Sequence, residues 1–562
     1  MKQKFNIIFL VLSLAIVNEK ICAQDYIQEE IFVHTTKNYY HAGELMYYSV
    51  YVLNAETHKP VNLSRAAYFE LLDSLNKPVY RNVVALKEGR GSGSFAIPSI
   101  MPGVFRLRAY TNWMRNYRAD NYFQKEIAIV NGPVSDKVFL ANEETAGRTQ
   151  LSIDVNADKK TYDIRSKAVI EFNTHDEDEK AVLADFSVSV YRIDSFTKAD
   201  PANIASLLTE AADVVDNETR YAPEYGGRII TGRITERSTG TGARGINVYL
   251  SVPGYSSGFH NTITDSAGNF RFVVRDLVPS GNIIVQTDIR NDKMYAVEVN
   301  DPFSSEYIDA PLIRFKAARG GETLAEQSIA AQVEQSYHAQ RLLSFKDVGR
   351  DTIPFYGKAD FVYHLDDYVR FSKMEEVFRE FIGPVAVSKR GNSFQLAVYE
   401  LQTHNTFSKP PLVLIDGYPV VDIDKLFLFD PLKVKTIEVL NRKYIHGNTV
   451  FEGIVNLITY SADMNGYPPD EHAKLLPQQV VQNEVKYVMP DYDNAEVRKS
   501  RRPDFRNVLY WSPMLKTDKS GKARIEFFTS DLEGSFVVII QAITAEGKLG
   551  SGMGQFEVRG EK

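Results

Sequence analysis

Apolar and polar residues alternate in short runs along most of this 562-residue chain. In Ile246–Val252 every second residue is Ile, Val or Leu, and Phe186–Tyr191 and Lys167–Phe172 repeat the pattern. Successive side chains of a strand point to opposite faces of a sheet, so each run predicts a strand with one apolar face. Many such strands separated by turn residues indicate β-sandwich domains in series.

Two segments depart from alternation and predict helices. Gly321–Leu343 is rich in Ala, Glu and Gln, with apolar residues at roughly helical spacing, and Leu365–Ile382 reads as a strand followed by a helix. The polar stretch Met489–Phe505 predicts a linker. We expect the first helix to brace neighbouring domains.

Turn chemistry supports the strand assignment. Thr264–Phe270 and Thr517–Ala523 each place an aspartate three residues before a glycine, between alternating runs. The aspartate can accept hydrogen bonds from turn amides, and glycine tolerates the left-handed conformation that closes a short hairpin. Both segments therefore predict structural hairpins.

Two stretches near the N-terminus resemble each other. Thr35–Val52 and Ala157–Phe172 each carry a Lys, a Tyr two or three residues later, a turn, and then an alternating run. Two related sandwiches are the simplest explanation.

A small separate domain is predicted around the apolar strand in Pro410–Val420, which runs into a turn at Asp416 and Gly417. Asp430–Tyr460 adds two further apolar runs. The expected core of this domain is Val413, Ile415, Ile437, Val439, Ile454 and Leu457.

The first residues have the plan of a secretory signal peptide. Lys2 and Lys4 precede an apolar run that is too short to span a bilayer comfortably, and cleavage is expected after Ala23. Cys22, the single cysteine, would be removed with the peptide, which excludes disulfides, cysteine nucleophiles and thiolate metal sites. A lipid-anchored Cys22 is the alternative, but Glu19 and Lys20 do not fit a lipobox.

Net charge limits the classes of partner that the sequence leads us to expect. The net charge of −7 provides no overall positive field that would attract phosphate backbones or anionic lipid. Nucleic acid is therefore not expected as a partner.

Three stretches are similar to macroglobulin domains, the β-sandwich units of the alpha-2-macroglobulin family: the two related segments above and Gly91–Trp113. Arg502–Gly550 resembles a later segment of that family, with Asp504, Phe505, Trp511, Pro513, Asp518 and Gly521 on its pattern. Thioester-bearing members use a Gly-Cys-Gly-Glu-Gln stretch. The mature chain would lack a cysteine, so the resemblance implies no covalent trapping of proteases.

Gly226–Val274 is similar to the carboxypeptidase regulatory-like, transthyretin-type sandwich, and the domain around Asp416 resembles the plug of TonB-dependent outer-membrane receptors. This order of modules resembles secreted envelope proteins of Bacteroidota. A receptor barrel has about 22 strands of roughly ten residues, which is more than the sequence after Tyr460 could supply. We therefore expect a plug-like domain without its barrel.

The expected fold class is mainly β, with several Ig-like or macroglobulin-type sandwiches in series and a small α+β plug-like domain. The expected divisions are a signal peptide at 1–23, a macroglobulin-like sandwich at 24–133, a second at 148–222, a carboxypeptidase regulatory-like sandwich at 226–302, a helical linker region at 303–358, the plug-like domain at 359–465, a linker at 466–501 and a C-terminal macroglobulin-like segment at 502–562.

Two motifs could carry chemistry. Gly254–Gly258 matches G-x-S-x-G, which would make Ser256 a nucleophile, but that motif needs a strand-to-helix turn and here follows Val252 and Pro253 in a Gly- and Ser-rich loop. The acidic run His175–Lys180 could bind a cation, yet it lacks the ligand pattern of a calcium loop. A flexible loop and a solvated hairpin tip are the favoured interpretations.

Aromatic residues in Asn38–Tyr40 and Thr111–Tyr117 could contact sugars or peptides, although packing at sandwich edges is favoured. The histidines show no zinc-binding spacing. We predict no catalytic, cofactor-binding or metal-ligating residue, no cofactor and no enzymatic activity.

The first functional hypothesis is a non-catalytic adaptor, in the periplasm or at the outer membrane, that engages a protein such as a TonB-dependent transporter. The alternative is a macroglobulin-like protein that binds proteases non-covalently. Under both hypotheses we expect that the mature chain does not span a membrane.

Overall fold

The computed structural model describes residues 27–97, 103–130, 138–139, 149–193, 203–208, 220–254, 258–275, 282–288, 294–308, 315–316, 328–334, 336, 353–400, 404–476 and 487–560. The predicted signal peptide, with Cys22, lies outside these residues. No helix in the described ranges is long and apolar enough to cross a membrane. The described chain is mainly β, as the alternating pattern predicts.

The first sandwich lies within the predicted range 24–133. Its strands are β1 (Glu29–Thr35), β2 (Tyr39–His41), β3 (Leu45–Asn54), β4 (Ala66–Leu72), β5 (Pro78–Ala85), β6 (Arg90–Ala96), β7 (Gly103–Thr111) and β8 (Phe123–Val130). They form a three-stranded sheet in the order β1-β3-β6 and a five-stranded sheet in the order β2-β8-β7-β4-β5.

The next part of the chain supplies shorter strands. They are β9 (Val138–Phe139), β10 (Ser152–Ala157), β11 (Thr161–Asp163), β12 (Lys167–His175), β13 (Asp185–Arg192), β14 (Arg228–Glu236), β15 (Asn247–Ser251), β16 (Phe259–Ile263), β17 (Asn269–Val274), β18 (Ile283–Thr287), β19 (Tyr295–Val299) and β20 (Phe315–Lys316). β9 and β20 pair only with each other within the described residues.

Short 3-10 helices lie at Trp113–Asn116, Ala119–Asn121 and Ile204–Leu208, and the first α-helix in the described ranges follows β20. The elements are α1 (328–334), β21 (Phe361–His364), α2 (Met374–Glu380), β22 (Val385–Arg390), β23 (Ser393–Glu400), β24 (Asn405–Thr406), β25 (Leu412–Ile415), β26 (Tyr418–Pro419), α3 (Ile423–Phe427), β27 (Val434–His446), β28 (Thr449–Thr459) and β29 (Lys474–Leu476). The C-terminal part adds α4 (Ala495–Arg498), β30 (Val508–Lys516), β31 (Lys522–Phe528), β32 (Gly534–Ile543) and β33 (Leu549–Arg559).

The second sandwich joins two segments that are far apart in the chain. Its three-stranded sheet is β10-β12-β31 and its five-stranded sheet is β11-β33-β32-β13-β30. The sequence-based division into separate units at 148–222 and 502–562 therefore needs correction, because they are two halves of one sandwich. Neither half can complete the sheets that bury its apolar side chains without the other.

The two sandwiches have the same topology. Numbered within each sandwich, the strand orders are 1-3-6 and 2-8-7-4-5 in both. The similarity of Thr35–Val52 to Ala157–Phe172 reflects this repeat: the Lys37 N–H donates to the Tyr40 hydroxyl at 3.1 Å, and the Lys159 N–H donates to the Tyr162 hydroxyl at 3.3 Å.

The third sandwich is inserted within the second. It consists of the sheets β17-β14-β19 and β16-β15-β18-β29. β29 lies in the segment predicted as a linker, 466–501, and pairs with β18 from the predicted range 226–302. That boundary is corrected accordingly, since a short strand after the next domain completes the sheet.

The α+β domain is inserted in turn within the third sandwich, before β29. Its main sheet is β21-β27-β28-β25-β26, with a smaller β22-β23-β24 sheet beside it. Side chains of α2 and α3 join the cluster on one face of the main sheet. All six predicted core residues are buried: Val413, Ile415, Ile437, Val439, Ile454 and Leu457.

The range predicted as a helical linker, 303–358, is not a simple spacer. Phe303 lies in the core of the first sandwich, and Arg108 donates to the carbonyls of Ser304 and Glu306, each at 2.6 Å. α1 lies inside the predicted helix Gly321–Leu343, and apart from residue 336 the rest of that segment falls outside the described residues.

The first and second sandwiches share a buried polar interface. His34 Nδ1 lies 2.7 Å from Ser187 Oγ, and the Tyr51 hydroxyl donates to the same oxygen at 2.7 Å. The ring of Trp511 packs 5.2 Å from that of His34. Ser187 and Ser189, on the polar face predicted for this strand, are fully buried because another domain covers that face.

Candidate functional site

The two motifs with candidate chemistry fall in different places. Ser256 lies outside the described residues, while Gly254 beside it donates its N–H to the Asp416 carbonyl at 2.9 Å. In the acidic run, Asp176 accepts from the N–H groups of Asp178 and Lys180 at 3.1 and 3.0 Å. The run forms a hairpin turn, as predicted.

The two glycine hairpins use the same device. Asp265 accepts from the Ala267 and Asn269 amides, each at 2.8 Å. Asp518 accepts from the Ser520 and Lys522 amides at 2.8 and 2.9 Å. Hydrogen bonds lower the pKa of both carboxyls, that of Asp518 first through the Ser520 hydroxyl and then through the Lys522 amide, and that of Asp265 through the Asn269 and Ala267 amides. The turns form as predicted.

The predicted aromatic stretches belong to the first sandwich's core. Tyr39, Tyr40, Trp113 and Tyr117 are buried. This agrees with the packing interpretation, and it leaves little of these rings for contact with a ligand.

The turn at Asp416 and Gly417 anchors the α+β domain. Both residues have positive φ, 49° and 82°, which a tight hairpin turn requires. The Asp416 carboxylate accepts from Thr459 N, Thr459 Oγ1 and Met464 N at 2.8, 2.5 and 2.8 Å. Burial nevertheless raises the pKa of Asp416.

The second face of the α+β sheet is covered by the third sandwich. Tyr249 and Phe259 from that sandwich cluster with Leu414, Leu440 and Phe451. Asn261 Nδ2 also donates to Thr449 Oγ1 at 2.7 Å. The sheet is therefore buried on both faces by this chain itself.

One end of the α+β domain remains apolar and exposed. Val369, Leu432, Tyr460 and Tyr368 have exposed fractions of 77, 54, 51 and 38%. Arg370 Nη2 holds their loops together by donating to the Pro431 and Val434 carbonyls at 2.9 and 3.0 Å. We call these four exposed residues the end patch.

A second surface feature is a polar cleft between the first and third sandwiches. Its volume is about 390 Å³. Three arginines line it: Arg115 follows β7, Arg220 precedes the third sandwich and Arg271 lies on β17. We call it the arginine cleft. Asp301 is the acidic residue among its described lining residues.

A buried acid lies behind the wall of this cleft. Glu224 accepts from the Tyr68 hydroxyl at 3.0 and 3.2 Å and from Ile229 N at 2.7 Å. Burial raises the pKa of Glu224 to about 7, although the charges of Arg228 and Arg115 act in the opposite direction. These bonds give Glu224 a structural role between two domains.

A junction of two carboxyl groups forms where α1 meets the second sandwich. Glu334 Oε1 accepts from Phe505 N at 2.9 Å, and Asp504 is paired with Arg506 at 2.7 Å. Burial and the neighbouring Asp504 charge raise the pKa of Glu334 to about 8. The backbone at Phe505 therefore anchors α1.

Sequence reasoning missed the end patch, the arginine cleft and the carboxyl junction. Each assembles residues from segments that are far apart in the chain, and their spacing carried no signal. The described residues contain no group of three or more His, Cys, Asp or Glu arranged to hold a metal ion.

No protein-family model matches the chain, and no curated protein matches it. Among solved structures, the native conformation of Escherichia coli alpha-2-macroglobulin is 10% identical, with 96% of this chain and 40% of that chain covered and a TM-score of 0.25. Salmonella alpha-2-macroglobulin reacted with methylamine is 10% identical, with 95% and 39% covered and a TM-score of 0.25. The Escherichia coli adhesin FdeC is 11% identical, with 52% and 66% covered and a TM-score of 0.15. The chain spans about two fifths of the length of the two macroglobulins.

Proposed function

We propose that this protein is a non-catalytic adaptor of the cell envelope that binds a protein partner through the end patch. The single observation that carries the proposal is the exposure of Tyr368, Val369, Leu432 and Tyr460, on segments that hydrogen bonds of Arg370 and Asp366 connect. Exposed apolar patches mark interaction sites in soluble proteins.

The identity of the partner rests on the resemblance to receptor plugs and on the predicted signal peptide. Both support an envelope protein, and an outer-membrane barrel protein such as a TonB-dependent transporter is the partner we propose. The sheet faces of the α+β domain are covered by its own helices and by the third sandwich. An intermolecular contact would therefore use the end of this domain.

The structural roles of the titratable groups support a non-enzymatic function. Asp416, Glu224 and Glu334 each bond to backbone amides that hold two segments together. A strongly shifted carboxyl in such a position stabilises architecture as readily as it serves catalysis.

The experiment uses the full chain as bait on detergent-solubilised outer membranes of the organism that makes it. The test variant is Val369→Asp with Leu432→Asp, which places charge in the end patch. The matched control is Ile445→Asp, because Ile445 is 71% exposed and lies on the same domain at the far end of β27. Each captured barrel protein is then purified, and its affinity for the three baits is measured.

We expect one barrel protein to bind wild type and the control with equal affinity. Its affinity for the double variant should be at least tenfold lower. Equal binding by all three baits, or capture without any barrel protein, would contradict it.

A macroglobulin-like protease-binding protein is the second candidate. It is favoured by the repeat of one eight-stranded topology in two sandwiches. Incubation with proteases of different specificity should then give one preferred cleavage and a more compact particle in sedimentation, whereas dispersed cleavage without compaction would argue against it.

A further inference from the structure

A cleft in the α+β domain lies where the edge strand of the main sheet meets the small sheet. Its volume is about 420 Å³. Phe361 and Tyr363 come from β21, Asn441 from β27 and Tyr399 from β23, and Pro384 lies directly before β22. None of the four end-patch residues lines it. We call it the aromatic cleft.

A β-bulge places Asn441 at this cleft. The pairing of β27 with β28 shifts register here, so that Asn441 and Arg442 together stand opposite Gly453. The Asp360 carboxylate fixes the bulge, because it accepts from Asn441 N at 3.0 Å and pairs with the Arg442 guanidinium. Bulges re-aim side chains and are over-represented beside functional sites.

The Asn441 side chain is nearly buried but open to the cleft. The residue is 5% exposed. No described residue forms a hydrogen bond with its amide group, and neither amide atom is closed off from solvent. Most buried side-chain amides have a protein partner. The donor and the acceptor of Asn441 are therefore both available to a ligand in the cleft.

Two aromatic rings of the cleft are held in place by the core. Phe361 and Tyr363 are two residues apart on β21, so they lie on the same face of the strand, and both pack against the core of the domain. The Tyr363 hydroxyl has no hydrogen bond to a described residue. Because packing fixes the rings before a ligand arrives, less entropy is lost on binding.

The cleft offers hydrogen bonds and aromatic surface but little charge. No lysine, arginine or aspartate is among its described lining residues. Glu400 lines it and already has a partner, and His404 is exposed. A neutral ligand therefore fits this cleft better than an ionic one.

We propose that the aromatic cleft binds a neutral saccharide. The negative face of an aromatic ring attracts the C–H groups of a sugar ring. The Asn441 amide and the Tyr363 hydroxyl each supply a donor and an acceptor for sugar hydroxyl groups. A purely apolar ligand would leave these polar groups unpaired, which lowers affinity. The volume lies within the range of small-molecule sites.

The test is saturation-transfer NMR on the full chain with lactose, maltose, cellobiose and chitobiose, followed by titration of each saccharide that binds. N-acetyltyrosinamide is the probe for a peptide side chain in the same cleft. The variants are Asn441→Ala and Tyr363→Phe. The matched controls are Asn448→Ala and Tyr225→Phe, because both residues are exposed and neither lines the cleft. Thermal unfolding establishes that each variant is folded.

We expect at least one saccharide to bind wild type and the two controls with equal affinity. Asn441→Ala should weaken that affinity at least tenfold, and Tyr363→Phe about fivefold through the lost hydrogen bond. Tyr363→Phe should keep the stability of wild type, because the hydroxyl has no partner among the described residues. It therefore decides the outcome even if Asn441→Ala fails to fold.

Three results would overturn the proposal: no saccharide binds, the cleft variants bind as tightly as the controls, or N-acetyltyrosinamide binds alone. Capture of a barrel protein is measured with the end-patch variant, whose substituted residues do not line this cleft. Failure of one proposal therefore leaves the other intact.

Discussion

The first and second sandwiches share one topology, but only the first is made from a continuous stretch of chain. In the first, the fourth and fifth strands are joined by a tight turn in which Asp73 accepts from the Leu75 and Lys77 amides, each at 2.9 Å. In the second, β13 ends at Arg192 and its neighbour β30 begins at Val508. The third sandwich and the α+β domain fill that gap.

A hairpin connection can therefore be replaced by whole domains without altering the strand order of the sheets. Tyr191 still pairs with Val508, and Asp185 with Lys516. The ladder between β13 and β30 depends on where the strands end, because hydrogen bonds join neighbours in space whatever the length of the connection.

Removing the second half should have the largest effect on this comparison. A chain ending at residue 501 lacks β30 to β33. The remaining strands, β10 to β13, then have no partners with which to complete the two sheets of the second sandwich. We expect the second sandwich to lose its entire stability, about 5 kcal/mol or more. Limited proteolysis followed by mass spectrometry should show rapid cleavage within 149–193, and protection there would contradict the expectation.

The converse variant sharpens the same point. In this variant the five-residue sequence 73–77 of the first sandwich replaces residues 193–507 and joins Arg192 to Val508. The second sandwich should then form from one continuous stretch of chain. Residues 149–193 should then become resistant to the protease again, whereas continued cleavage would mean that the inserted domains are needed for folding.

Packing between the two sheets of the second sandwich depends on glycines in β33. A side chain built at Gly554 would lie 2.6 Å from Val155 Cγ1. Gly554→Val should therefore overpack the space between β33 and β10 and lower the free energy of unfolding by about 3 kcal/mol. Urea denaturation measures the change, with Met553→Val as the control because Met553 is 59% exposed.

Arg165 holds the segment in which the chain returns to the second sandwich after the inserted domains. Its Nε and Nη2 donate to the Asp531 carboxylate at 2.5 and 2.6 Å, and Nη1 donates to the Ser500 carbonyl at 2.6 Å. The equivalent residue of the first sandwich is Gly43. Arg165→Lys cannot make this set of bonds and should cost about 2 kcal/mol in urea denaturation.

The matched control for this clamp is Lys167→Gln. Its ion pair with Asp493 is exposed on both sides, so the loss should be much smaller than that of Arg165→Lys. Equal losses for the two variants would show that the clamp adds nothing.

His34 tests the interface between the sandwiches. Burial holds the pKa of His34 well below its usual value, and Lys125 adds to the shift. The unfolded chain binds a proton near pH 6.5 whereas the folded chain does not, so stability is retained above that pH and lost below it, by up to about 1.4 kcal/mol per pH unit.

His34→Gln should flatten this dependence. The free energy of unfolding is measured for both proteins at intervals from pH 8 to pH 5. At each pH the value for the variant is subtracted from the value for wild type. Buried acids such as Glu224 contribute to both proteins and therefore largely cancel. An identical slope in the two proteins would contradict the assignment.

The smallest effect concerns the shared tyrosine. Tyr40→Phe and Tyr162→Phe each remove the acceptor of a lysine backbone N–H, and each should cost about 1 kcal/mol. Thermal unfolding of the two variants should show similar losses if the sandwiches are true structural repeats. A loss confined to one variant would show that the split sandwich uses its tyrosine differently.

Strand positions were largely predictable because local alternation indicates each strand and turn residues indicate where it ends. Val413, Ile415 and Ile437 were placed correctly in a core, and the Asp265 and Asp518 turns formed as expected. The candidate sites were not predictable. Arg115, Arg220 and Arg271 are separated by about fifty to a hundred residues, and nothing in their spacing relates them.

Local sequence specifies which residues form strands, which face of each strand is apolar and how the hairpins turn. The choice of neighbouring strands comes from the folded chain, and with it the dependence of 149–193 on 508–559 and the completion of the third sandwich by β29. The tertiary structure also decides that Ser187 and Tyr249, on faces that alternation alone would leave to solvent, are buried by other domains. The physical reason is that alternation records the faces of a strand, whereas the hydrogen-bond ladder and the cover over each face come from parts of the chain that are distant in sequence.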